Sequence, residues 1–256
     1  MIAQTTKIVP LTVILAISSN LCTPTELPAN TFSPELFNPV FVAQSKRRRI
    51  ILKLPPIDAP GSRQRGAASR GQCPNVETPL TALIPPTHTG LSASNSPTFW
   101  FYNPYTIPAE FILMDERRNE VYRTTVSFTE EGIISIQLPQ NMTLNDGRRY
   151  PWTFSVICNP NSRVDDIFVS GEVKIQLPNS EMQKQLATTT EERDRLLIYA
   201  ANGYWFDTLT TLGKRRLKEP DNHELLADWN ELLGEGNVRL NDISSKSLLR
   251  EAHRKN

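Results

Sequence analysis

Between residues 80 and 177 apolar side chains recur at every second position, in short runs ended by proline, glycine or asparagine. A period of two puts one set of side chains on one face of an extended chain, so such runs are half-buried strands. Trp152, Phe154, Val156 and Cys158 alternate with Thr153, Ser155 and Ile157; Tyr122, Thr124, Val126 and Phe128 alternate with Arg123, Thr125 and Ser127. Ile134, Ile136 and Leu138 form a third run, and Ile167, Val169, Val173, Ile175 and Leu177 a longer one, in which Gly171 suggests a bulge or bend. With 80–84, 98–102 and 110–114 the count is about seven strands. Turn residues at 115–119, 129–132 and Asn145-Asp146-Gly147 separate them, and Pro97 and Pro151 stand where a missing N–H does little harm. Seven short strands without intervening helices predict a mainly β fold, an antiparallel immunoglobulin-like β-sandwich over 73–178. A true immunoglobulin domain is not expected, because Trp100 lies too far beyond Cys73 and no Tyr-x-Cys precedes Cys158.

After Pro178 the period changes to 3.6. Asn179 or Ser180 can cap a helix with Gln183 placed for a capping box, and Thr190-Glu191-Glu192 offers a second start, so the first helix is either long or broken. Trp205, Leu209, Leu212 and Leu217 lie on one face of the next, which Pro220 stops; Leu225, Leu226, Trp229 and Leu232 mark a third, ended by Gly234 and Gly236. The stretch 203–233 resembles part of a tetratricopeptide repeat, with Thr208, Leu212 and Pro220 at matching spacings and Arg215 in place of a small residue. A single copy cannot make a solenoid. The expectation over 179–236 is therefore a helical hairpin packed on the sandwich, and 237–256 is expected to be a flexible tail.

The first residues read as an address. Lys7, the apolar run 8–17 and the small residues Ser18 and Ser19 have the layout of a secretory signal peptide, 1–19, with a second cleavage candidate as late as residue 43. Leu21 before Cys22 argues against lipidation. No apolar run approaches the roughly 18–20 residues of a membrane-spanning helix. Export places the cysteines in an oxidising compartment, and Cys73 and Cys158 are then the expected pair, since no Cys-x-x-Cys or histidine cluster offers a metal site. The periplasm, the extracellular space or a thylakoid lumen would each suffice.

Between the address and the sandwich, 44–72 carries eight basic residues against Asp58 alone, with Pro55, Pro56, Pro60 and three glycines. This composition predicts a solvated tether, with Lys46, Arg47, Arg48 and Arg49 available for weak contact with an anionic surface. No aromatic residue interleaves the charges and the whole chain carries only +1, so a nucleic-acid partner is not expected.

Several motifs have a familiar form. Arg70-Gly71-Gln72-Cys73-Pro74, Leu80-Thr81-Ala82-Leu83-Ile84-Pro85, Pro97-Thr98-Phe99-Trp100-Phe101-Tyr102, the run from Trp152 to Pro160 and Asn202-Gly203-Tyr204-Trp205-Phe206-Asp207 resemble an exported cyanobacterial family, domain of unknown function 928. The resemblance implies a signal peptide, a Cys73–Cys158 pair and a sandwich followed by helices. It implies no activity.

Catalytic constellations are not found. His88, His223 and His253 stand beside no nucleophile in a known motif, there is no phosphate-binding glycine loop, and Glu130-Glu131 and Asp165-Asp166 fall in turns. No cofactor, metal or catalytic residue is expected. Within 98–102, Phe99 and Phe101 must face opposite to Trp100 and Tyr102, so one pair is core and the other is either covered by the tail or exposed. Trp100, Tyr102, Trp205 and Trp229 are thus the candidate ligand or partner surface. The leading expectation is a non-enzymatic interaction or structural module of the cell envelope with a protein or polysaccharide partner. A carbohydrate- or peptidoglycan-binding module and an envelope hydrolase are the alternatives.

Overall fold

A computed structural model describes residues 47–55, 62–67, 73–86, 89–249 and 253–254. The signal segment, Cys22, Lys46 and His88 lie outside the described residues, as does the side chain of His253.

The two sheets follow from which side chains must leave water. The smaller has the order β1 (Thr81–Ala82), β3 (Thr98–Asn103), β6 (Gly132–Gln137) and is antiparallel. The larger runs β2 (Gly90–Ser92), β8 (Ile167–Ile175), β7 (Arg149–Val156), β4 (Ala109–Met114), β5 (Glu120–Ser127), β9 (His253–Arg254). Only β2 with β8 is parallel among these pairings. Phe99 and Phe101 of β3 meet Phe111 of β4 and Trp152 and Phe154 of β7, with ring centroids 4.4–6.2 Å apart, and this aromatic seam joins the sheets. The opposite parity of β3, Trp100 and Tyr102, is buried too, under the chain that follows Pro178: Trp100 against Thr210 and Trp229, Tyr102 beneath Lys246. A strand buried on both faces needs a layer on each side, so the helices complete the fold rather than decorate it.

The alternation therefore marks the strands correctly, with corrections. Gly171 makes no bulge: β8 keeps register with β7 throughout, and the glycine stands opposite Trp152, where a Cβ would lie 2.5 Å from the indole. The irregularity falls instead at Leu113/Met114, where β4 meets β5. β2 and β9, three and two residues long, are too short to show any period.

The region after Pro178 is more than a hairpin. Helices α1 (Ser180–Thr188), α2 (Glu192–Ala201), α3 (Trp205–Lys218), α4 (His223–Gly234) and α5 (Asn241–Ser244) follow one another. Asn179 caps α1 through Met182 N–H at 2.9 Å, and Asn222 caps α4 through Glu224 and Leu225 N–H. The first helix is broken, its C-cap Thr189 being extended. Gly203, at φ +78°, turns α2 into α3. Of the segment expected to fray, 237–249 is packed: Val238, Leu240 and Ile243 are fully buried, and Ile133 exchanges backbone hydrogen bonds with Ser247 and Leu249 at 2.7 and 2.8 Å. Hydrophobic residues spaced irregularly in a polar stretch give no periodic signal there.

Cys73 and Cys158 form a disulfide, with Cα atoms 4.9 Å apart. It ties the chain just ahead of β1 to the chain just beyond β7. Among the described residues no helix is long and apolar enough to cross a membrane.

Candidate interaction surface

The four aromatic residues named as the candidate ligand or partner surface are all covered, so of the two alternatives the exposed strip is the one the structure does not contain among them. Trp100, Tyr102, Trp205 and Trp229 are each at most 2% exposed. Trp100 donates its indole N–H to Thr210 Oγ1 at 3.1 Å and packs edge-on against Trp229. Trp205 donates to the Leu83 carbonyl at 2.9 Å. The guanidinium of Arg216 lies 5.6 Å from the Trp229 ring, and the ammonium of Lys246 lies 5.1 Å from that of Tyr102. These rings are the adhesive between the small sheet and the helical layer. Nothing in the local sequence distinguishes an aromatic strip awaiting a sugar from one awaiting a helix.

The carboxylate pairs carry no shared chemistry. Glu130 and Glu131 are exposed in a turn, while Asp166 accepts from Cys158 N–H at 3.3 Å and pairs with Arg163. Among the described residues no three His, Cys, Asp or Glu side chains stand close enough to hold a metal ion.

The described parts of the basic segment, 47–55 and 62–67, are held on the fold rather than free as a tether. Residues 47–55 lie extended along α2 and α4. Arg47 pairs with Asp228, whose side chain is 1% exposed, and lies 3.6 Å from Glu231. Arg48 pairs with Asp194 of α2, and Arg49 with Glu231 at 3.0 Å. Ile50 and Leu52 are buried, whereas Ile51 is 63% exposed and Lys53 faces water. The main chain is held as well: Arg193 Nη2 donates to the Arg48 carbonyl at 2.6 Å, and Lys53 N–H donates to the Ala200 carbonyl at 3.0 Å. Further along, residues 63 and 65 bridge to Ser170 and Thr81. The anionic surface that Arg47, Arg48 and Arg49 meet is therefore the chain's own. No motif marks the receiving residues Arg193, Asp194, Asp228 and Glu231 in the sequence. Their one trace there is an acidic surplus elsewhere that nearly cancels the basic charge of 44–72.

Burying two aliphatic side chains favours this docking by about 1.5–3 kcal/mol each. Ordering an extended, sheet-free segment opposes it, and the exposed Arg48 and Arg49 pairs contribute little in water. The arm is thus held by a modest margin. Beside it opens a cavity of about 580 Å³, with an apolar floor of Leu197, Ile198, Ala201 and the arm's Ile51, and a polar rim that includes Arg48 and Asp194. A smaller cavity of about 240 Å³ lies between the 115–119 and 145–149 turns, but two of its arginines are already paired: Arg148 with Glu116 and Arg149 with Glu172, each at 2.9 Å. The cavity along α2 is the surface best formed to take an apolar group with a charged one beside it.

Asp207, in the first turn of α3, fastens this helical layer to the sheet edge. Its Oδ2 accepts Ala93 N–H at 2.7 Å, and burial pushes its carboxyl up to about 6 despite that bond and the one with the Ser92 side chain. In the unfolded chain the group releases its proton near pH 4, so between about pH 4 and 6 the folded state holds a proton the unfolded state has lost, and stability falls as pH rises. Above pH 6 the full penalty is present. Asp207→Asn keeps an acceptor without the charge and is expected to stabilise by about 3 kcal/mol at pH 7.5, with little effect at pH 4. Urea melts of both proteins at the two pH values check this; an equal difference at both would show that ionisation of Asp207 is not the cause.

Comparison with known families places most of the chain: the model of the family described as Domain of Unknown Function (DUF928) matches residues 65–248. No curated protein matches the chain.

Proposed function

The chain belongs to the DUF928 family, and we propose that it is a non-enzymatic interaction module of the cell envelope, exported through its N-terminal segment. Export is supported by the signal-like run 1–19 and by the Cys73–Cys158 disulfide, a bond that persists in oxidising compartments. The periplasm of a cyanobacterial cell, or its thylakoid lumen, would suit both. Two packed sheets stapled near their ends are also the build of immunoglobulin-like adhesion and adaptor domains, which supports that finer reading of the sandwich. The part-repeat resemblance of 203–233 fits a helical pair whose apolar faces serve the core.

The observation that carries the proposal is the α2 cavity, with Leu197, Ile198 and Ala201 left partly uncovered beside Asp194 and Arg48. The carbohydrate reading relies on an exposed aromatic strip, and the four rings concerned are buried. The test is crosslinked capture from the envelope fraction with the wild-type chain and with Leu197→Arg, which fills the cavity with charge. The same envelope protein should be retained by the wild type and lost at least tenfold with the variant. Equal retention by both would remove the cavity from the interaction.

A further inference from the structure

Residues 47–55 sit in their groove in the way a bound peptide sits in a receptor. Ile50 and Leu52 point inward while Ile51 and Lys53 point to water, a period-two reading of an extended strand. The Arg48 carbonyl and Lys53 N–H are bonded to α2 at Arg193 and Ala200, so the main chain supplies affinity and alternate side chains supply selectivity. Each of Arg47, Arg48 and Arg49 has an acidic acceptor among Asp194, Asp228 and Glu231. Resting on the reading of the chain as an interaction module, we propose that this groove binds an extended segment of a partner protein with consecutive arginines followed by aliphatic residues at alternate positions. Residues 47–55 are its tethered occupant.

Four observations support the step from occupant to receptor. The family match begins at residue 65, so the groove residues 193, 194, 228 and 231 belong to the family domain and the occupant does not. The acidic centre of the groove also keeps a partner of its own. Arg193 holds both oxygens of buried Asp228, Nε to Oδ2 and Nη2 to Oδ1, each at 3.0 Å, so withdrawal of Arg47 leaves no unpaired charge inside. Gly203 supplies the close approach: a Cβ there would stand 2.6 Å from the Lys53 carbonyl oxygen and 2.9 Å from Pro55 Cδ. Finally, the arm fills the site incompletely. The cavity of about 580 Å³ begins at Ile51, so a segment with a larger apolar residue at that place buries more than the arm does.

The test uses the full chain and a labelled peptide with the sequence of residues 45–55, alongside the same peptide carrying Ile51→Trp. In the wild type the arm competes at the high effective concentration of a short tether, so binding in trans should be weak. The variant Ile50→Asp places a charge on the arm's anchoring side chain and should bind the peptide at least tenfold more tightly. The Trp peptide should bind several-fold more tightly still, and both affinities should fall as salt rises. Arg47→Ala/Arg49→Ala loosens the arm without burying a charge and should give the same order, which covers the case in which Ile50→Asp does not fold. Folded variants that ignore both peptides, or that bind them no better than the wild type, would overturn the inference. So would a preference for the original peptide over the Trp version. If peptide binding fails while envelope capture stays sensitive to Leu197→Arg, the groove proposal falls alone. If peptides bind as described and no envelope protein is captured, the interaction reading falls instead.

Discussion

A chain ending at Asn179 is expected to lose its cooperative unfolding transition altogether. The sheets and the helices share one core, and truncation there cuts through its centre. Phe206 lies edge-on to Phe99 with centroids 5.5 Å apart and packs on Gly90, while Trp205 reaches the Leu83 carbonyl. Gly213 lets α3 approach β3 so closely that a Cβ there would stand 2.6 Å from the Trp100 indole. Removing the helices would return Trp100 and Tyr102 to water and unseat Leu83 and Phe99. At about 1.5–3 kcal/mol for each large side chain uncovered, four such residues forfeit about 6–12 kcal/mol. That is comparable with the whole stability of a domain, about 5–15 kcal/mol. Circular dichroism and calorimetry of the truncated chain should show strand signal without a sharp melt, and binding of a hydrophobic dye. A midpoint within a few degrees of the full chain's would mean that the two sheets are self-sufficient, and that the helices cover a face the sandwich can leave wet.

That dependence is partly legible in the residues. The alternation of Phe99 and Phe101 with Trp100 and Tyr102 states that β3 has two apolar faces, and an apolar tail rich in leucine and tryptophan states that something must cover one of them. Which cover wins is a tertiary matter: α3 and β3 are more than a hundred residues apart, and no local pattern encodes their meeting. The basic arm shows the reverse case. Its composition is that of a solvated linker, and local rules say no more than that. What decides its path is that Ile50 and Leu52 keep one parity, and that Asp194, Asp228 and Glu231 lie on two helices brought together only by the fold. Asp207 illustrates a third limit. An acidic residue in the first turn of a helix reads as a dipole partner, and only the structure shows it buried against Ala93 N–H with its ionisation opposed. Short elements escape for a simpler reason, since a strand of two or three residues has no period to detect.

Replacing Cys73 and Cys158 together by serine is expected to cost about 4–5 kcal/mol, because the bond closes a loop between residues 85 apart and its loss frees the unfolded chain more than the folded one. The folded side of the balance is also affected. Cys73 is buried and sets the path of 73–80 into β1, while Cys158 follows β7 and receives support from Asp166 at its backbone N–H. Freed from each other, the start of the small sheet and the end of β7 keep only their own hydrogen bonds. A loss of this size takes a large share of about 5–15 kcal/mol, so a chain folded in a reducing compartment would be marginal where the oxidised chain is firm. Two measurements separate the parts of this claim. Alkylation of the folded region should add two labels after reduction and none before. The denaturant midpoint of the double serine variant should fall to that of the reduced wild type and respond no further to reductant. If both thiols of the protein isolated from its native cell label without reductant, the bond is not made there. If the reduced and oxidised midpoints coincide, the start of the small sheet is already held by the burial of Cys73 and Leu80, and the bond adds little to the fold.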